Sequence, residues 1–138
     1  MDIRTIILRF FIALLCGAVI GLEREIRDKA AGLRTHILVC IGACLFGMIG
    51  AEMAIAFDGA DILRIAQGLL IGMGFLGAGV IVREGASITG LTTAAGIWVM
   101  GAIGLGIGVG AYRVALIGTI FCLLTIAVFG TVERLVKK

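Results

Sequence analysis

The chain has 138 residues, of which 61% are hydrophobic, 12 are basic and 9 are acidic, and its mean hydropathy is +1.19. Soluble domains hold roughly 45–50% apolar residues, so this composition excludes an ordinary soluble domain and indicates one membrane-embedded domain over residues 1–138. The 22 glycines favour transmembrane helices that pack closely, because glycine lets helix backbones approach each other in lipid.

Five apolar stretches predict the transmembrane helices, each of which needs about 20 apolar residues to cross a bilayer. The predicted fold is an all-α, glycine-rich bundle with helices over residues 5–22, 35–57, 65–82, 91–108 and 112–132. The fourth stretch is the least regular, because its repeated glycines between 104 and 110 allow it to unwind where protein or a cavity surrounds it.

The segment GLEREIRDKAAGLRTH, residues 21–36, carries seven of the 21 charged residues. Glu23–Arg27 and Glu25–Lys29 are i,i+4 pairs with the acid first, which stabilise a helix. The first helix is therefore expected to continue to about Lys29. Gly32 then suits the end of that helix, and Thr35 suits the N-cap of the second.

Basic residues predict the orientation, because cytoplasmic loops carry an excess of them. One side of the predicted bundle holds eight and the other four: Arg24, Arg27, Lys29, Arg34, Arg83, Arg134, Lys137 and Lys138 against Arg4, Arg9, Arg64 and Arg113. This count predicts an outside N-terminus and a cytoplasmic C-terminus. Arg9 lies inside the first helix and is expected to extend to the outer interface.

The stretch GMGFLGAG, residues 72–79, contains the nucleotide-binding pattern G-x-G-x-x-G. That pattern binds a dinucleotide only in a turn between a strand and a helix, whereas this one lies within an apolar helix. Packing is the better interpretation. Glycines on more than one side predict that the third helix is central and surrounded by its neighbours, through Gly68, Gly72, Gly74, Gly77 and Gly79.

His36, Cys40 and Cys44 follow each other at helical spacing, which raises the question of a metal site. His36 and Cys44 would lie roughly 12 Å apart along the helix axis, too far to share one ion. No metal site or other cofactor is predicted, and His36 is expected to form hydrogen bonds at the membrane interface. The four cysteines are expected to be buried free thiols.

Polar residues near the outer face have alternative interpretations. Glu52 is either an intramembrane functional group or a solvated acid beyond an earlier helix end. Asp61 can cap the third helix, and Arg64 and Gln67 are its outer-face polar residues. At the opposite face, the hydroxyls of residues 92 and 93 begin the fourth helix and can bond to backbone carbonyls or to another helix.

Five segments, taken in order, resemble the MgtC/SapB family of bacterial inner-membrane proteins: GAVIGLERE at 17–25, AGLRTH at 31–36, RIAQGLLIGMGFLGAGVI at 64–81, GLTTAAGIWV at 90–99 and GAIGLGIGVGAY at 101–112. The resemblance implies a five-span protein linked to magnesium limitation and, in some members, to virulence. It also implies a regulatory role, which in some members includes inhibition of the membrane ATP synthase. Some members add a cytoplasmic domain similar to an ACT domain, and this chain, which ends in VERLVKK, is expected to lack it or to have lost it.

The predicted orientation gathers a set of polar residues on the cytoplasmic side, where they are expected to form a vestibule roofed by residues 23–34: Glu23, Arg24, Arg34, Thr35, His36, Thr92 and Thr93. No carboxylate lies near the middle of a span, which is unfavourable for a magnesium pathway. The sequence shows no pairing of a nucleophile with a base that would indicate an enzyme.

The predicted function is therefore regulation, by binding other membrane proteins through the helices and the cytoplasmic face. The alternative is a small transporter or channel component for magnesium or another small solute. The expected partners are the lipid bilayer and another membrane protein, for which the resemblance suggests ATP synthase. The glycine faces allow a homodimer, and nothing indicates nucleic acid.

Overall fold

The structure, a computed structural model, describes residues 1–57 and 61–136, apart from the side chains at 133 and 134. Its elements are α1 (Ile3–Ile26), α2 (Leu33–Ala56), α3 (Ile62–Ala78), β1 (Val82–Glu84), β2 (Ser87–Thr89), α4 (Leu91–Gly108), α5 (Tyr112–Leu124), a π turn (Thr125–Phe129) and α6 (Gly130–Val136). The predicted all-α bundle is confirmed. Four helical segments are long and apolar enough to cross a membrane, the fourth of them running without interruption over Tyr112–Val132, whereas α3 has 17 residues.

The bundle has two ends. We call the end at which α1 finishes and α2 and α4 begin the charged end, because the charges of residues 23–29 lie there. The opposite end carries the N-terminus, the end of α2 and the start of α3.

The central helix is α4, which packs against α1, α2, α3 and α5. The prediction that the third helix is central was wrong for this chain, because α3 packs mainly on α4 and α2. A methyl group added at Gly68, Gly72 or Gly74 would meet no atom within 4 Å. Only Gly77 faces a neighbouring helix, with its added Cβ 3.5 Å from the Ala94 Cβ, while Gly79 follows the last turn of α3.

The glycines of α4 and α2 make the closest helix contact of the bundle. A Cβ at Gly104 would collide with the carbonyl oxygen of Cys40, and a Cβ at Gly108 would collide with that of Cys44. From the α2 side, a Cβ at Gly47 would lie 2.8 Å from the Leu105 carbonyl oxygen. The glycine-rich part of α4 therefore stays helical as far as Gly108, because the backbone of α2 occupies the space that side chains would otherwise fill.

A second glycine contact joins α1 to α2. A Cβ at Gly17 would lie 2.7 Å from the Cα of Ile37, and one at Gly21 would lie 2.8 Å from the Cα of Leu33. Around these contacts the cysteines are free thiols, as predicted. Three of them are buried and Cys122 is half-buried.

The connector between α1 and α2 differs from its prediction. Helix α1 ends at Ile26 rather than near Lys29, and Asp28 has a positive φ of 50°, which takes the chain out of the helix. Glu25 does not use Lys29. Its carboxylate accepts a hydrogen bond of 2.8 Å from the backbone N–H of Leu33, one of the free donors at the start of α2.

The start of α2 was also placed wrongly in the prediction. The helix begins at Leu33, so Gly32 precedes α2 instead of ending α1, and Thr35 lies inside the first turn instead of at the N-cap. An acidic side chain is favourable at a helix N-terminus, and Glu25 supplies it from the previous helix.

An unpredicted antiparallel hairpin joins α3 to α4, with Val82 paired to Thr89. The third helix, predicted to reach residue 82, ends at Ala78. Strands of three residues are too short to show a hydrophobic period. Gly90 has a φ of 86°, and a side chain there would collide with the Val80 carbonyl oxygen, so the tight turn into α4 requires glycine.

Polar contacts order the opposite end. The side chain of Arg9 extends from α1 to the last residue of α4. It donates hydrogen bonds to the Gly108 carbonyl oxygen at 2.6 Å and to the Tyr112 hydroxyl at 3.0 Å, so a cation meets the C-terminus of α4. Asp61 caps α3 as predicted, since its carboxylate accepts from the Leu63 N–H at 2.8 Å.

Two alternatives for Glu52 were left open, and the structure excludes the earlier helix end that one of them requires. Its side chain is 51% exposed and lies 2.5 Å from the amino group of Met1, while α2 continues to Ala56. Arg64 and Gln67 are exposed on α3.

We expect Gly104→Ala to lower the free energy of unfolding by about 1–3 kcal/mol or more, the range for overpacking, because its methyl group meets the Cys40 carbonyl. The thermal unfolding temperature of the detergent-solubilised protein measures this. Gly42→Ala on α2 is the matched control, since a Cβ there meets nothing within 4 Å. Equal unfolding temperatures for the two variants would contradict the tight α2–α4 contact.

Candidate functional site

Three charged side chains in the last turns of α1 form what we call the charge cluster: Glu23, Arg24 and Arg27. The Glu23 carboxylate accepts from Arg24 Nε at 2.5 Å, and its second oxygen lies 2.6 Å from Arg27 Nε without an aligned hydrogen bond. The predicted i,i+4 pair between Glu23 and Arg27 is confirmed. The cluster holds two guanidiniums and one carboxylate, so its net charge is positive.

The burial of Arg24 follows from its place on α1. The buried stripe of this helix runs through Gly17, Ile20 and Gly21 at helical spacing, and the next position on the stripe is Arg24, which is only 4% exposed. A buried charge must be paired, and the neighbouring Glu23 meets this need. Glu23, just before Arg24, is 12% exposed, and Arg27, which follows the last residue of α1, is 21% exposed.

His36 packs against α1 at Gly21, one turn before Arg24. The hydrogen bonding predicted for it is confirmed. Its side chain is fully buried, among α1, α2 and α4. The Nδ1 atom donates to the Gly32 carbonyl oxygen at 2.9 Å, so Nε2 of the neutral ring is an acceptor, and this atom has no hydrogen-bond partner among the described residues. It faces Gly96, where an added Cβ would lie 3.5 Å away. Arg24 and Glu23 are close enough to act on the imidazole electrostatically.

Arg27 connects the charge cluster to the π turn of the last span. One of its terminal nitrogens donates to the Ala127 carbonyl oxygen at 3.1 Å and to the Thr131 hydroxyl at 3.4 Å. The Thr131 hydroxyl itself donates to Ala127 at 2.8 Å. A π turn interrupts the regular helical bonding, and such turns are frequent at functional sites. Here the side chain of Arg27 supplies an additional donor to this segment.

A groove of about 330 Å³ lies between α4 and α5, beside the cluster. Its walls are mainly apolar, and Gly96 forms part of the wall in front of His36. The groove is lined by residues of α4, α5 and the π turn, which include Thr92, Ala95, Gly96, Val99, Phe121, Cys122, Thr125 and Ile126. Ile126 lines the groove, and the next residue, Ala127, accepts a hydrogen bond from Arg27, so the groove and the charge cluster are neighbours.

The structure divides the seven residues of the predicted vestibule among four places. Glu23, Arg24 and His36 come together in the buried cluster, and Thr93 is buried on α4. Thr92 lines the groove. The other two, at positions 34 and 35, are exposed on the first turn of α2.

Sequence reasoning missed two members of the site. Arg27 was seen only as a partner of Glu23, and the contribution of the last span was not seen at all. The i,i+4 spacing was the only signal for Arg27, because its contacts with residues 127 and 131 join parts of the chain about a hundred positions apart. Among residues 1–57 and 61–136, no group of three or more His, Cys, Asp or Glu could hold a metal ion.

Comparison with known proteins agrees with the resemblance noted from the sequence. The profile of the MgtC family matches residues 10–135. The chain belongs to the MgtC family. No solved structure matches it.

Relatives of this MgtC-family chain include proteins of three bacteria. YhiD of Escherichia coli K12 is 44% identical over 132 residues, which cover 91% of this chain and 61% of YhiD. SrpB of Synechococcus elongatus is 43% identical, covering 92% and 76%. MgtC of Salmonella typhimurium LT2 is 46% identical over 117 residues, covering 85% and 49%. The MgtC-family chain thus spans about three-fifths of YhiD and about half of MgtC.

We expect Glu23→Gln to lower the free energy of unfolding by about 3–5 kcal/mol, because removing one partner leaves the buried guanidinium of Arg24 uncompensated. Thermal unfolding in detergent measures this. Glu25→Gln is the matched control, since Glu25 is exposed and an amide oxygen can still accept from the Leu33 N–H. A Glu23→Gln variant as stable as the control would show that the charge cluster contributes little to stability.

Proposed function

We propose that this MgtC-family protein is a multi-pass protein of the bacterial inner membrane that supports adaptation to magnesium limitation by binding other membrane proteins. The observation that carries the proposal is the internal neutralisation of Glu23. Its carboxylate lies 2.5 Å from Arg24 and 2.6 Å from Arg27, so it is occupied by the protein's own cations.

A magnesium pathway would need different chemistry at this position. Mg²⁺ keeps several waters and is held by carboxylates in a wet site, whereas the charge cluster is mostly buried and has a net positive charge that repels a dication. Other acids of the part of the chain that the structure describes also have local roles: Glu52 faces the Met1 amino group, and Asp61 caps α3. These contacts favour a binding role over conduction.

The outward face of α3 supports the binding role. Gly68 and Gly72 lie one turn apart with no neighbour within 4 Å of an added Cβ, and Ile71 and Phe75 beside them are 69% and 79% exposed. In lipid, helices associate by close contact at small residues, with larger side chains packing around them. This face therefore suits a helix of another membrane protein, and the family resemblance makes the membrane ATP synthase the first partner to test.

Transport of magnesium or another small solute is the second candidate. YhiD, of which this chain covers about three-fifths, is provisionally named a magnesium transporter. A symmetric oligomer could also bring carboxylates of several copies together. This candidate needs Glu23 to exchange its arginine partners for an ion during transport.

We place the charged end in the cytoplasm, on the excess of basic residues there. Green fluorescent protein fused after Lys138 should fluoresce, and alkaline phosphatase at the same position should be inactive. A chain truncated after Ala111, which follows the opposite end of α4, should give active alkaline phosphatase as the control. The reverse pattern would contradict this orientation.

We expect Gly72→Leu to reduce capture of the membrane partner several-fold while leaving the protein folded, because a Cβ at Gly72 meets no atom of the described residues within 4 Å and the new side chain covers the α3 face. Cells are starved of magnesium and crosslinked in their membranes, and proteins co-purified with the tagged chain are quantified. Gly42→Leu on α2 is the matched control, since Gly42 also has no neighbour within 4 Å.

Two results would contradict the binding role. One is the failure of the wild-type chain to capture any membrane protein in repeated experiments. The other is saturable magnesium flux through the purified chain in liposomes, which Glu23→Gln would abolish if the second candidate is correct.

A further inference from the structure

The groove between α4 and α5 opens on the outer surface of the bundle. Ala95, Phe121 and Thr125 line it and are exposed. Both helices belong to segments that are long and apolar enough to cross a membrane. The groove is thus an apolar depression at membrane depth. Atoms on its walls lose dispersion contacts unless something fills it.

One end of this groove meets the charge cluster. Thr125 and Ile126 line the groove and begin the π turn, and the next residue, Ala127, accepts the hydrogen bond from Arg27. Arg27 is 21% exposed, the largest exposed fraction in the cluster. The apolar groove therefore ends close to a partly exposed guanidinium, which belongs to a cluster of net positive charge.

We propose that this groove binds an acyl chain of an anionic phospholipid, with the lipid phosphate at Arg27. Basic sites between transmembrane helices are suited to anionic headgroups, and a guanidinium pairs well with phosphate oxygens. The net charge of the charge cluster favours a lipid with a net negative headgroup over a zwitterionic one. This inference does not depend on the proposed regulatory role.

The size of the groove favours a lipid chain over a protein helix. From Thr92 to Val99 the groove extends about 10 Å along α4. A helix of that length, with a diameter of at least about 10 Å, has a volume of roughly 800 Å³, whereas the open space of the groove is about 670 Å³ even when the adjoining solvent is included. A helix is therefore too large to lie wholly within the groove, whereas a single acyl chain is thin enough to do so.

Native mass spectrometry of the detergent-solubilised chain tests the proposal, with phosphatidylglycerol or phosphatidylethanolamine of identical acyl chains added at equal concentration. We expect the wild-type chain to retain several-fold more phosphatidylglycerol. Ala95→Leu, which fills the groove, should lower that retention several-fold. Ala54→Leu is the matched control, because Ala54 is also an exposed alanine but lies on α2, away from the groove.

The headgroup is tested separately. Arg27→Gln should reduce retention of phosphatidylglycerol to the level of phosphatidylethanolamine, and Arg27→Lys should keep the preference. If Arg27→Gln does not fold, the comparison of Ala95→Leu with Ala54→Leu decides alone.

Three outcomes would overturn the proposal. The wild-type chain could retain both lipids equally. Ala95→Leu could retain phosphatidylglycerol as well as the wild type does. Ala95→Leu could also weaken association with a second copy or another protein while lipid retention stays unchanged, which would assign the groove to a protein contact.

Discussion

The contact between the backbones of α2 and α4 is the constraint on which the rest of the molecule depends. In lipid, helices gain little from hydrophobic burial and associate through close packing. Gly47, Gly104 and Gly108 allow that approach, and each would collide with a backbone atom if it carried a side chain. The remaining helices pack around this α2–α4 pair. Helix α1 adds the second glycine contact, which its Gly17 and Gly21 make with α2.

This packing explains why charge can be buried at one end of so apolar a chain. The buried stripe of α1 leads directly into Arg24, its neighbour on α1 is Glu23, and α2 brings His36 to the same place. A half-satisfied buried polar group costs about 1–3 kcal/mol, and the unpartnered His36 Nε2 is such a group. The surrounding glycine contacts must offset that cost, so the polar centre depends on the apolar packing.

Much of the fold could be predicted because hydropathy is a local property of the sequence. The helix positions, the Glu23–Arg27 pair and the Asp61 cap all depend on residues close together in the chain. The central helix could not be predicted this way, because the glycines of α3 and α4 look alike and only long-range contacts tell them apart. The same holds for Arg27, whose partner Ala127 is a hundred residues away. Glu25 had two possible local partners, Lys29 and the free N–H of Leu33, and in the structure its carboxylate accepts from Leu33.

Because α3 is short, the apolar part of the protein spans a smaller thickness at α3 than at α1 and α2. Its 17 residues rise about 26 Å, against about 36 Å for the 24 residues of α1 or α2 and roughly 30 Å for a bilayer core. The exposed Arg64 and Gln67 near its start shorten the apolar part further. Such hydrophobic mismatch costs fractions of a kcal/mol per ångström, so lipid next to α3 should be thinned relative to lipid next to α1. The α3 side of the molecule should therefore respond more strongly than the α1 side to a change in membrane thickness.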